Sequence, residues 1–270
     1  MAIELIAIDI DGTLLNERNE LAPATTQAIK AATKKGIKVV LCTGRPMTGV
    51  TAYLDTLGIN AATDQYVVTF NGALAQTTDG KVISANALSY DDYLDLEALA
   101  QKLSIHFHVE TSDRMYTADR DMSEYTVHEA KLVSLPLSYR TTGEMRGITI
   151  SKGMYIDQPK VLDAAIAHQD IWRPFEEQFT FVKSAPFYLE ATKKGTNKGN
   201  ALSMLAQTLN LTADNVMAIG DQQNDLSMIE YAGFGVAMGN AIPSVKQAAQ
   251  AVTLDNVHNG VAATINQMLS

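Results

Sequence analysis

Short apolar runs of strand length alternate with helix-length stretches at both ends of the chain, and the alternation breaks down in the middle. Ile3 to Ile8 is a compact β-rich run. Pro23 to Lys35 follows, with Ala24, Ala28, Ala31 and Ala32 at helical spacing, and Gly36 closes it. A second apolar run from Ile37 to Cys42, a helix predicted from Pro46 to Leu57 and closed by Gly58, and a third strand from Tyr66 to Phe70 continue the rhythm. Near the C-terminus it returns as a helix from Asn197 to Leu209, a strand from Val216 to Ile219, a helix from Asp225 to Tyr231 and a strand from Gly235 to Met238. Strands separated by helices of this length imply βαβ units and a parallel sheet, so the two ends read as one α/β domain.

Between about Ser84 and Pro186 the pattern is different. A helix from Tyr90 to Leu103 precedes short strands near His106 to Glu110 and Arg114 to Tyr116, then mixed α and β segments. We read residues 1–84 and 188–270 as the core domain and 85–187 as an insertion. Asn71-Gly72 and Asp79-Gly80 are hairpin signals that fit either side of the first boundary.

A chain of 270 residues exceeds a typical single domain of roughly 100 to 200, which agrees with two. With 46% hydrophobic and 19% charged residues the composition is that of a globular protein. The formal net charge of -9 excludes a general attraction to nucleic acid or to an anionic membrane, so an anionic substrate needs local positive charge. The single cysteine, Cys42, cannot form an internal disulfide, and its apolar neighbours predict a buried, reduced thiol in a cytoplasmic protein. The opening stretch MAIELIAIDIDGTLL is broken by Glu4, Asp9 and Asp11 and lacks a basic leader, so it reads as a strand and not as a signal peptide. No stretch approaches the roughly 20 apolar residues that span a bilayer.

Asp9-Ile10-Asp11-Gly12-Thr13 places two carboxylates two residues apart where the first strand gives way to a turn. Strand ends in open parallel sheets are where ligands bind. Two neighbouring carboxylates repel, and a hard, oxygen-seeking ion such as Mg2+ relieves that repulsion. Thr43-Gly44-Arg45 follows the second strand, offering a hydroxyl and approachable backbone amides to a phosphate oxygen. Lys198 opens a predicted helix, where the dipole disfavours a cation and a bound phosphate would supply a reason for it. Gly220-Asp221-Gln222-Gln223-Asn224-Asp225 follows another apolar run and adds oxygen ligands. Singly, each motif is also explained as a turn or a helix start. Together they occur in order, three of them after predicted strands of the same sheet.

This set resembles the haloacid dehalogenase superfamily, whose four motifs are matched by Asp9 to Leu15, Thr43 to Arg45, Lys198 and Gly220 to Asp225. The insertion looks like the cap of the Cof-type subfamily. Leu88 to Tyr93, Lys183 to Pro186 and Gly239 to Lys246 are similar to YidA-type sugar phosphatases. The resemblance implies a Rossmann-like three-layer α/β core with a parallel sheet plus an inserted α+β cap. It implies a Mg2+-dependent phosphatase acting on small phosphorylated metabolites, sugar phosphates among them, through an aspartyl-phosphate. By the same resemblance Asp9 is the nucleophile and Asp11 the general acid and base. Thr43, Gly44, Lys198 and Asn224 bind phosphate, and Asp9, Asp11, Asp221 and Asp225 form the metal site, with Asp11 contributing its backbone carbonyl. An acid at position 11 suits phosphate esters, whose leaving group needs a proton, and argues against a dehalogenase. A phosphomutase and a non-catalytic sugar-phosphate sensor are the alternatives; a homo-oligomer stays open. Cap candidates for recognising the leaving portion are His106, His108, Arg114, Tyr116, Arg120, His128 and Glu190, while Trp172 and the methionines are assigned to packing.

Overall fold

The computed structural model describes residues 2–270, which divide into two compact units. Numbered along the chain, the strands are β1 (Leu5–Asp9), β2 (Lys38–Cys42), β3 (Tyr66–Thr69), β4 (Leu74–Thr77), β5 (Val82–Ala85), β6 (His106–Glu110), β7 (Met115–Thr117), β8 (Leu137–Tyr139), β9 (Lys152–Ile156), β10 (Phe179–Ala185), β11 (Tyr188–Lys193), β12 (Val216–Gly220), β13 (Phe234–Ala237) and β14 (Ala251–Val252).

The first unit comprises residues 2–45, Val50–Ala85 and Asn197–Ser270. Its eight-stranded sheet has the order β14-β13-β12-β1-β2-β3-β4-β5. From β14 to β3 all pairs are parallel. A strand in the middle of such a sheet is covered on both faces and needs an unbroken apolar run. Leu5, Ile6, Ala7 and Ile8 meet that need, each fully buried. Both hairpin signals fall on this sheet, joining β3 to β4 and β4 to β5 in antiparallel pairs. The helices form two packed groups, the outer layers of a three-layer α/β fold. Pro23–Lys34 packs on Thr51–Leu57 and on Gly260–Leu269, while Lys198–Thr208 packs on Leu226–Tyr231, which packs on Pro243–Ala248. Pro at the start of the first helix has no amide to leave unsatisfied, and Ala28, Ile29 and Ala32 form its buried face.

The chain adds β2 and β3 on one side of β1, and β12, β13 and β14 on the other. Strand order therefore reverses beside β1, which opens a crevice at the carboxyl ends of β1, β2 and β12. The helix predicted from Pro46 is divided: a single 3-10 turn at Met47–Gly49 precedes an α-helix at Thr51–Leu57. Val50 separates them with φ -121°, its side chain fully buried.

The second unit comprises Pro46–Gly49 and Asn86–Thr196. Its six-stranded sheet has the order β10-β11-β9-β6-β7-β8 and is antiparallel except for β7 with β8. The sequence boundary at residue 187 came too early. Tyr188–Lys193 pairs with both β9 and β10, so the insertion runs on to Thr196. A strand's partners are non-local, and its own residues do not reveal them. This unit has its own core, in which Leu96 and Leu99 from the helix Tyr90–Leu103 meet Phe107, Tyr155, Trp172 and Phe179. A capping box of Ser89 and Asp92 starts that helix. The Trp172 indole donates to the Ala165 carbonyl at 2.9 Å, so this tryptophan is a packing residue.

Candidate active site

The chain leaves β1 at Asp9 in extended conformation and turns at Gly12, where φ is +82°. The turn passes directly over Asp221, since a Cβ at position 12 would lie 2.5 Å from Asp221 Oδ2. A side chain is excluded there by both space and backbone conformation. Thr13 donates its hydroxyl to Asp221 Oδ1 at 3.0 Å. Asp225 folds back beneath the same loop, its Oδ2 accepting from the amides of Asp221 at 2.9 Å and Gln222 at 3.0 Å.

Asp9, Asp221 and Asp225 are all buried, and each offers a carboxylate oxygen within 4.8 Å of the other two. Lys198, fully buried, donates to Asp9 Oδ1 at 2.5 Å and to Asp225 Oδ1 at 2.7 Å. These two carboxylates give a cation at this helix start its partners. Three acids against one lysine leave the cluster with excess negative charge. Burial pushes the Asp9 carboxyl up to about 7; Lys198 opposes that rise, and Asp225 and Asp221 add to it. Asp221 is also raised, by burial first, with Thr13 opposing. Lys198 is held above the usual ammonium range because Asp9 and Asp225 outweigh its burial. Buried carboxylates this close together, with Asp9 and Asp221 raised by burial first and by neighbouring acids second, fit a hard divalent cation.

Thr43 follows β2, beside Asp9 in the sheet register, where Asp9 is paired with Cys42. The Thr43 amide donates to the Val68 carbonyl at 2.8 Å, and its Oγ1 accepts from the Arg45 amide at 3.1 Å. Cys42 is buried beneath the cluster, which pushes its thiol up to about 12 and leaves it inert.

The side chains of Asp11 and Asn224 make their hydrogen bonds to residues outside the acid cluster. The Asp11 carboxylate is exposed and turned to Arg45, accepting from Nε at 3.0 Å and from Nη2. Asn224 is exposed, and its Nδ2 donates to Asn71 Oδ1 at 3.1 Å. Asn240 had no assigned role in the sequence reading. Its Nδ2 donates to the Gly12 carbonyl at 2.8 Å and to Asp221 Oδ2 at 3.2 Å, tying together the loops after β1 and β12. The available signal was position: Gly239-Asn240 follows β13, at the same end of the sheet as the other motifs.

In the second unit, His106 contacts Asp157 at 2.9 Å, Arg114 donates to Ser138 at 2.9 Å, and Tyr116 lies under the Arg140 guanidinium. Arg120 and His128 are exposed. His108 is fully buried, with Nδ1 3.3 Å from Thr126 Oγ1. Lys152, unnoticed in the sequence, stands 3.2 Å from Glu110 and 3.6 Å from Glu190.

Among the described residues no helix is long and apolar enough to cross a membrane. Comparison with known proteins matches residues 6–265 to the profile of the haloacid dehalogenase-like hydrolases. YxeH of Bacillus subtilis (strain 168), whose name marks it as a candidate phosphatase, is 44% identical over 268 residues, covering 98% of each chain. From the same organism, YcsE, named a 5-amino-6-(5-phospho-D-ribitylamino)uracil phosphatase, is 29% identical over 263 residues, covering 97% of this chain and 94% of its own. The crystal structure of a haloacid dehalogenase-like hydrolase from Bacteroides thetaiotaomicron superimposes with a TM-score of 0.85 at 27% identity, covering 98% of this chain and 99% of that one. With acids, hydroxyl and lysine gathered at one sheet end and the family profile spanning nearly the whole chain, this protein belongs to the haloacid dehalogenase-like hydrolases.

Proposed function

We propose that this enzyme is a Mg2+-dependent phosphatase that hydrolyses small phosphorylated metabolites, sugar phosphates among them, through a phosphoaspartyl intermediate on Asp9. One observation carries the reading: Asp9 is buried, with one carboxylate oxygen held by Lys198 and two further acids beside it. The second oxygen is then the nucleophile. Names of relatives support the class, since YxeH and YcsE are both named for phosphatase chemistry, YcsE with a phosphorylated ribityl substrate.

In the first step a bond forms between Asp9 and phosphorus while the ester P–O bond breaks, and a proton from Asp11 goes to the departing alkoxide. In the second, water attacks phosphorus, Asp11 takes its proton and the Asp9 carboxylate departs. Both Asp11 oxygens accept hydrogen bonds from Arg45, which fixes the direction the carboxyl faces. Thr43 and the Gly44 backbone orient the phosphoryl oxygens, and Asn224 flanks them. Asp9 and Asp221 would hold Mg2+ with the Asp11 carbonyl, Asp225 supporting them from behind, and the ion would neutralise phosphoryl charge. We assign the second unit the role of a cap that selects the leaving group. The buried, unpaired Cys42 supports work in the reducing cytoplasm.

Phosphate release from p-nitrophenyl phosphate and a panel of sugar phosphates, with Mg2+ or EDTA, tests the reading. Release is expected only with metal, and Asp9→Asn should lower it by at least about a thousandfold. No release from any ester by folded, Mg2+-loaded protein would point instead to a phosphomutase or a sensor.

A further inference from the structure

The turn Phe70–Gly72, which joins β3 to β4, is more than a hairpin connection. Asn-Gly explains left-handed backbone at positions 71 and 72, where φ is +53° and +103°. It does not explain Phe70, a bulky buried residue that also has a positive φ, +51°. Strain of this kind persists where surrounding structure demands it, and functional sites are where it collects.

The surroundings identify the demand. The Phe70 amide donates to the Arg45 carbonyl at 3.3 Å and the Asn71 amide to the Thr43 carbonyl at 2.9 Å, so the turn grips the Thr43-Gly44-Arg45 loop by its backbone. The Asn71 side-chain amide lies flat against Gly44: a Cβ there would stand 3.1 Å from Asn71 Nδ2. On its other side Asn71 Oδ1 accepts from Asn224, 153 positions away in sequence. Gly72 abuts the start of the Lys198 helix, since a Cβ on it would lie 2.2 Å from the Asn197 carbonyl oxygen. One strained turn thus touches three separate loops that carry Thr43, Lys198 and Asn224.

We propose that Asn71 is a positioning residue of this active site, its side-chain amide locking Asn224 and the Thr43-Gly44 turn into the arrangement that grips a phosphoryl group. The inference rests on the phosphatase reading. Asn71 acts through Gly44 and Asn224, and removing its amide loosens the phosphate grip before it affects the fold.

The test uses the full-length, Mg2+-loaded protein and the variants Asn71→Gly, Asn71→Asp, Asn224→Ala and the double variant Asn71→Gly/Asn224→Ala. Glycine accepts the left-handed backbone without strain, and aspartate keeps the shape while replacing the amide nitrogen with an anionic oxygen. Thermal unfolding, kcat and KM for p-nitrophenyl phosphate, and Ki for inorganic phosphate are measured. For Asn71→Gly we expect an unfolding midpoint no lower than that of the wild type, Ki and KM raised about tenfold, and a smaller change in kcat. Asn71→Asp should raise Ki further. The double variant should be no worse than the poorer single variant, because the two amides work as one unit. An unchanged Ki in Asn71→Gly, or single effects that multiply in the double variant, would overturn the proposal. Should Asn71→Gly unfold early, Asn71→Asp decides by the same Ki criterion. A wild type that neither releases phosphate nor is inhibited by it brings down the phosphatase reading and this proposal with it; failure in the variants of an active wild type brings down the proposal alone.

Discussion

At the scale of single residues, the acid cluster and the second unit carry opposite pH signatures. Asp9 is raised in the folded protein from an ordinary 3.8 to about 7, by burial first. A raised carboxyl stabilises the fold fully below its unfolded value, and that contribution is lost as pH rises through 7. Glu110 behaves in the opposite sense: Lys152 and His108 outweigh its burial and hold it below the usual 4.5. Its contribution is present above 4.5 and lost as pH falls through the lowered value. Urea unfolding of metal-free protein should therefore show stability falling between pH 4 and 7, a decline that Asp9→Asn flattens; an unflattened decline would assign it to other groups. Gly12 makes a second case. Gly12→Ala must adopt φ +82° and displace Asp221, so it should cost more than about 1 kcal/mol in unfolding free energy and weaken Mg2+ binding by calorimetry.

Elements place these residues where local sequence cannot. Asp9 ends β1, Thr43 and Asp221 directly follow β2 and β12, and they come to the same end of the sheet because β12, β1 and β2 are adjacent and parallel. In the second unit, β6 and β9 pair Glu110 with Lys152 in register, burying both charges on one face of the sheet. Removing one partner of a buried pair strands the other. Lys152→Met should thus destabilise by about 3–5 kcal/mol, and Lys152→Met with Glu110→Leu should recover part of that loss in chemical denaturation. A single variant as stable as the wild type would mean that His108, 3.8 Å from Glu110, compensates.

For the whole molecule, the consequence is that a unit inserted into another has a core of its own. The cluster around Leu96, Phe107, Tyr155, Trp172 and Phe179 draws only on residues of the second unit. Residues 86–196 expressed alone should unfold cooperatively and give a native-like near-ultraviolet signal from Trp172. A featureless spectrum with no unfolding transition would show that this core is insufficient. The reverse experiment is uninformative, because the first unit is discontinuous in sequence.

Alternation of apolar runs and helices, Gly12 and Gly44 at their turns, and acids at strand ends were legible in the sequence because each is set by local periodicity and backbone sterics. So was the gathering of Asp9, Asp221 and Asp225 at one end of the sheet, since each lies where an apolar run gives way to a turn. The two carboxylate partners of Lys198, the turning of Asp11 toward Arg45, the assignment of Tyr188–Lys193 to the second sheet and the engagement of Asn71 and Asn240 were not legible. Each depends on which distant strands pair and how their loops pack together. Contacts across 150 or more positions, as between Asn71 and Asn224, leave no periodic trace in either segment, so only the tertiary structure could decide them.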